Sequence, residues 1–126
     1  MTTRATRPVY LNLLEIKLPV PGLVSIGHRI SGVLMILAIP FVAYLFALSL
    51  ENPAGFAQAK AFLSHGLVKL GLVVLFWGLA HHLLMGIRYL LIDMDHGVDL
   101  ASARATAWGA GIGGLVITLL FLGVLL

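Results

Sequence analysis

A chain of 126 residues that is 60% hydrophobic and only 10% charged, with a mean hydropathy of +1.06, has too little polar surface to close around a soluble core of its own size. The net charge of +3 is small, and its placement along the chain is a topology signal, not a nucleic-acid footprint. With no cysteine, disulfides, a thiolate-ligated iron–sulfur cluster in this chain and covalent attachment of a c-type haem are excluded.

Residues 1–21 read as a polar lead punctuated by Pro8, Pro19 and Pro21; their Leu-rich stretch, 11–18, is too short to span and is placed at the inner surface. A first helix is expected from Pro21 or Gly22 to about Leu50, since residues 30–50 contain no Asp, Glu, Lys or Arg and a spanning helix needs roughly 20 mainly apolar residues. Pro40 removes one backbone donor inside it and predicts a kink. This run is too long for a signal-peptide core of about 7 to 15 residues, so the N-terminus is taken as mature. Residues 51–55 (Glu-Asn-Pro-Ala-Gly) are a turn signal. A second helix is expected as one continuous element from Pro53 or Phe56 to Asp93, amphipathic at first, uncharged over residues 70–87 and crossing the membrane at about 64–92. After a short loop at residues 93–97, a third helix is expected from near Ser102 to the C-terminus, crossing at about 104–126. The expected fold class is therefore an all-α membrane protein of three transmembrane helices in a single anchor domain.

Arg4, Arg7, Lys17 and Arg29 precede or open the first span, whereas the first loop offers Lys60 and Lys69, and the second is flanked by Arg88 and Arg104 but also carries Asp93, Asp95 and Asp99. The positive-inside rule then places the N-terminus inside and the C-terminus outside. In the third helix, Gly109 with Gly113 and Ala110 with Gly114 form small-xxx-small pairs, which permit close helix approach in lipid and speak of packing.

Ionisable groups within a span are costly, so each needs a reason. Ser25, His28, Arg29 and Gly32 share one face of the first helix, with Ser31 beside them. On the second, His82, Gly86, Tyr89 and Asp93 form one stripe with a gap at Gly86. His82 lies roughly 16 Å along the helix from Asp93, well inside the bilayer. Two readings stand for it: an axial haem ligand, with the glycine one turn away leaving room for a flat macrocycle, or a histidine hydrogen-bonded across the bundle. Because the first two helices run antiparallel, the Ser25, His28, Arg29 cluster and the Arg88, Tyr89, Asp93 end meet at one boundary. Arg29 or Arg88 can there bind haem propionates, with His28 donating another bond; for Arg88 the alternative is a snorkelling helix-end charge. His81, turned about 100° from His82, reads as a packing or hydrogen-bonding residue. His65, roughly 25 Å along the helix from His82, and His96 in the loop are expected to be solvated. Trp77, Trp108, Tyr44 and Phe76 read as packing or interface aromatics.

Arg7-Pro8 followed by Ser25-Ile26-Gly27-His28-Arg29-Ile30-Ser31-Gly32 resembles the N-terminal signature of the cytochrome b556 subunits, the large membrane anchors, of bacterial and mitochondrial succinate dehydrogenase. The segment His82-Leu83-Leu84-Met85-Gly86-Ile87-Arg88-Tyr89-Leu90-Leu91-Ile92-Asp93 resembles that family's second signature, and the likeness in length and helix count extends over essentially the whole chain. The resemblance implies that His82 is one axial ligand of haem b, the other coming from a companion anchor, and that the chain is half of a heterodimeric anchor bundle. It also implies that Ser25 and Arg29 line the ubiquinone site and that His28 and Arg29 lie near the haem propionates. A flavoprotein subunit would oxidise succinate and an iron–sulfur subunit would pass electrons to quinone beside this chain, in the bacterial cytoplasmic or the mitochondrial inner membrane. Tyr89 departs from the pattern, standing where many relatives have histidine, and His81 stands where another residue is frequent. Competing readings are the anchor of a quinol:fumarate reductase, a cytochrome b using two of its own histidines, and a haem-free membrane scaffold.

Overall fold

The computed structural model describes residues 16–125, in four helices: α1 (Val20–Glu51), α2 (Pro53–Ser64), α3 (Gly66–Asp93) and α4 (Leu100–Leu125). The surface placement expected for the polar lead falls largely on residues 1–15, outside the described residues. Helices α1, α3 and α4 are long and apolar enough to cross a membrane, and the chain is an all-α membrane protein.

Pro19 and Pro21 set the start of α1, where missing N–H groups cost nothing; the Pro19 carbonyl instead accepts from Gly22 (2.8 Å) and Leu23 (3.2 Å). The helix runs on through Pro40, whose missing N–H leaves the Ile36 carbonyl without its usual donor. At 32 residues it is about 48 Å long, well over the roughly 30 Å hydrocarbon thickness of a bilayer. It ends at Asn52, whose extended backbone reverses the chain while its Oδ1 accepts from Gly55 N (2.9 Å) to cap α2. Gly55 is obligatory here, because a Cβ would collide with the Leu48 carbonyl oxygen.

The continuous helix expected from Pro53 to Asp93 is broken at His65, which is the last cap of α2 and the first of α3, with φ −62° and ψ 134°. Ser64, His65 and Gly66 are three successive residues of modest or poor helix propensity, and the Ser64 hydroxyl donates back to Ala61 O (2.7 Å). A single extended residue there turns the chain, so α2 packs Gly55 and Ala59 inward as a separate short helix. His65 itself is exposed.

The α3–α4 connection is tight. Asp95 takes a left-handed conformation (φ 59°) and Gly97 another (φ 73°), while the Met94, Asp95 and His96 amides bond back to the last carbonyls of α3. Asp99 caps α4, its Oδ1 accepting from Ser102 N at 2.9 Å. Helix α4 turns Ala107, Ala110, Gly114 and Thr118 inward, and Thr118 returns its hydroxyl to Gly114 O (2.7 Å). Gly114 brings the α4 backbone against His81, whereas Gly109 meets nothing within 4 Å, so of the two small-residue pairs only Ala110 with Gly114 lies wholly on the buried face.

Candidate functional site

Helices α1 and α3 meet through small residues: a Cβ on Gly78 would touch Ser31, and Gly32 faces the His82 ring. This close approach delivers the polar face of α1 to the histidines of α3. Ser31 is fully buried and donates its hydroxyl to His28 O at 2.7 Å. His82 Nδ1 lies 3.0 Å from the same carbonyl and 3.1 Å from Ser31 Oγ. A carbonyl only accepts, so Nδ1 carries the proton, and the neutral ring holds its lone pair on Nε2. No hydrogen bond reaches that Nε2 among the described residues.

His28 stacks on His82, with ring centroids 3.9 Å apart and planes 15° apart, and Tyr89 meets His28 edge-on at 5.2 Å. The His28 Nε2 atom is buried and makes no hydrogen bond. Two stacked imidazoles cannot ligate one iron from opposite sides, which weighs against the self-contained two-histidine cytochrome. Ser25, half-buried, and Arg29, exposed, lie one turn apart on α1, and among the described residues no side-chain hydrogen bond joins either to another helix.

Arg88 goes elsewhere. It is 7% exposed, and its Nε donates to Thr106 Oγ1 and its Nη2 to Ala103 O, both at 3.1 Å, so it is turned toward α4. Among the described residues no carboxylate pairs with it, and its guanidinium lies 5.7 Å from the Tyr89 ring. His81 is buried against Trp77, in stacked geometry at 5.2 Å, with Nε2 3.3 Å from Val24 O. His96 is exposed, with Nδ1 2.7 Å from Met94 O. Sequence reasoning placed Ser31 in the cluster without seeing that it bridges His28 and His82; its position three residues after His28 was the available signal. Nothing within the sequence pointed to Thr106 or Ala103 as partners of Arg88.

The site suits a metal that brings most of its own ligands. Among the described residues there is no group of three or more His, Asp or Glu able to hold a bare ion, yet one imidazole nitrogen is oriented and unbonded. A Cβ on Gly86, one turn from His82, would meet nothing within 4 Å, so that flank is open to a flat ligand. Arg88 supplies a cation, and His28 Nε2 a polar atom without a hydrogen bond, on the same pair of helices.

Three apolar spans, two of which bring His28, His81 and His82 together between them, define a polytopic α-helical membrane protein with a cluster of imidazoles inside its bundle. Residues 3–121 match the model of the succinate dehydrogenase/fumarate reductase transmembrane subunit, and the chain belongs to that family. It is 32% identical over 105 residues to the succinate dehydrogenase cytochrome b556 subunit of Coxiella burnetii, covering 82% of this chain and 84% of that one. The subunits of the same name from Paracoccus denitrificans (28% over 119 residues; 94% and 92% covered) and Rickettsia felis (28% over 116 residues; 90% and 89%) are similar along nearly their full lengths.

Proposed function

We propose that the chain is the haem b-binding anchor of a succinate:quinone oxidoreductase, supplying His82 as one axial ligand and part of the ubiquinone-reduction site. The observation that carries this reading is the seating of His82: Nδ1 lies 3.0 Å from His28 O and 3.1 Å from Ser31 Oγ, which orients the ring and, with the proton on Nδ1, would leave Nε2 to ligate iron. Haem, when bound, supplies a one-electron store beside the quinone. Ser25 Oγ and the Arg29 guanidinium, one turn apart, donate hydrogen bonds to a quinone carbonyl, and the fixed charge of Arg29 favours the negative charge that builds there on reduction. His28 Nε2, Arg29 and Arg88 would hold the propionates, the two arginines by charge-assisted hydrogen bonds.

The remaining parts of the complex follow from what this chain lacks. It has no cysteine for a cluster, so an iron–sulfur subunit, itself reduced by a flavoprotein that oxidises succinate, would bring the electrons. A second anchor brings the other axial ligand. The named relatives are succinate dehydrogenase subunits, which supports this direction over fumarate reduction. The N-terminus is placed on the cytoplasmic side of a bacterial inner membrane, with Arg29 and Arg88 at that boundary.

The test is the reduced-minus-oxidised visible spectrum of the purified complex, wild type against His82→Ala. Loss or displacement of a b-type α band in the variant, in a preparation that retains its flavin, is the expected result. An unchanged spectrum would make His82 a packing residue.

A further inference from the structure

Adjacent histidines on α3 grip successive turns of α1. His82 Nδ1 bonds the carbonyl of His28, and His81 Nε2 lies 3.3 Å from the carbonyl of Val24, four residues earlier. Both acceptors are carbonyls, so His81 carries its proton on Nε2 and His82 on Nδ1: neighbouring imidazoles in opposite tautomers. The His81 Nδ1 left over is buried without a hydrogen-bond partner, a desolvation cost that a purely apolar residue would not incur.

His81 is also wedged from three sides. A Cβ on Gly27 of α1 would lie 2.9 Å from its Nε2, a Cβ on Gly114 of α4 would lie 3.1 Å from its Cα, and Trp77 stacks on its ring with planes 17° apart. The base of the side chain is thus packed on the α4 backbone, and its ring lies against the Trp77 ring and close to the bare Cα of Gly27. Because consecutive Cβ atoms on a helix are rotated by about 100°, the two histidines reach α1 from different directions. Together their bonds fix both the sliding and the rotation of α3 against α1, where a single bond would fix only distance.

We propose that His81 is a positioning residue for the His82 site: its bond to Val24 O holds the α1–α3 register in which His82 Nδ1 donates to His28 O. This rests on the reading of His82 as a haem ligand. Loosening the register lengthens the His82 Nδ1–H···O bond, makes the imidazole a poorer donor to iron and destabilises the ferric form, so the haem midpoint potential rises.

Redox titration of the haem α band in the purified four-subunit complex tests this in three variants. His81→Phe keeps the ring and loses the donor. Gly27→Ala pushes the imidazole off Val24 O from the opposite helix without altering His81. Both are expected to bind haem and to titrate at a higher potential than wild type. His81→Gln places an amide N–H where Nε2 was and is expected to restore the wild-type potential. Wild-type potentials in both His81→Phe and Gly27→Ala would overturn the proposal. Should His81→Phe assemble without haem, His81→Gln decides: haem at the wild-type potential supports the clamp, and a haem-free His81→Gln overturns it. His82→Ala in the same series separates the two readings. If it loses or alters the haem while the His81 and Gly27 variants titrate as wild type, ligation stands and only the clamp fails; if its haem is unchanged, ligation fails and the clamp with it.

Discussion

Gly32 and Gly86 both lie beside His82, for opposite reasons. A Cβ on Gly32 would sit 3.1 Å from His82 Cε1, so the bare Cα lets the imidazole seat against α1 and reach the His28 carbonyl. A Cβ on Gly86 would touch nothing within 4 Å, so packing within this chain does not call for glycine at a position where it costs about 1 kcal/mol of helix propensity relative to alanine. If His82 ligates haem as proposed, this open space is where the macrocycle would need room. Gly86→Leu is therefore expected to leave the helical content and thermal stability of the assembled complex unchanged or slightly raised while haem per flavin falls to less than half. Pyridine haemochrome quantification against the flavin of the same complex measures it. Full haem occupancy in Gly86→Leu would mean that the macrocycle does not pass over this glycine.

At the scale of the helices, the first turn of α4 depends on one carboxylate in the α3–α4 loop. Ser102, through its side chain first and its backbone amide second, holds the Asp99 carboxyl below the usual carboxylate range. The folded state thus binds this proton less readily than the unfolded one, so the cap's contribution is complete above the ordinary Asp value of about 3.9 and is lost as pH falls through the lower native value. The protection factor of the Ser102 amide, its exchange divided into the intrinsic rate at each pH, is expected to hold from neutral pH down to about 4, to fall as pH drops through the lowered native value, and to be small at neutral pH in Asp99→Ala; hydrogen–deuterium exchange over residues 99–106 reads both. Equal protection of Ser102 in wild type and Asp99→Ala would remove the cap from the account. The three spans were legible beforehand because lipid tolerates little besides long apolar helices, and the shared face of Ser25, His28 and Arg29 because helical spacing is fixed. The break at His65 was not, since hydrophobicity continues across it and one extended residue needs no proline. The Ser31 bridge, the His81 bond to Val24 and the turn of Arg88 toward α4 depend on how one helix is rotated against another, which no spacing within a helix reveals.

On the scale of the whole molecule, exposed leucines say little about partners, because lipid tails are as apolar as the side chains they would replace. Helix α1 has Ser31 as its only buried residue, its most apolar stretch has no residue buried within the chain, and an apolar cavity of about 1110 Å³ lies between α1, α2 and the start of α3. Acyl chains can fill all of that. They cannot satisfy the buried Nε2 of His28 and Nδ1 of His81, nor pair the Arg88 cation, which no carboxylate meets among the described residues. Those unmet polar demands, more than apolar area, make this chain half of a site. Produced alone in membranes, it is expected to insert its three spans and to bind almost no haem; co-production with a second anchor that offers a histidine is expected to restore one haem per pair, with the low-spin spectrum of two imidazole ligands. The comparison needs only haem and chain quantified in the same membranes. Stoichiometric low-spin haem on the isolated chain would require a second ligand from within it, and His28 would have to leave its stack on His82 to provide one.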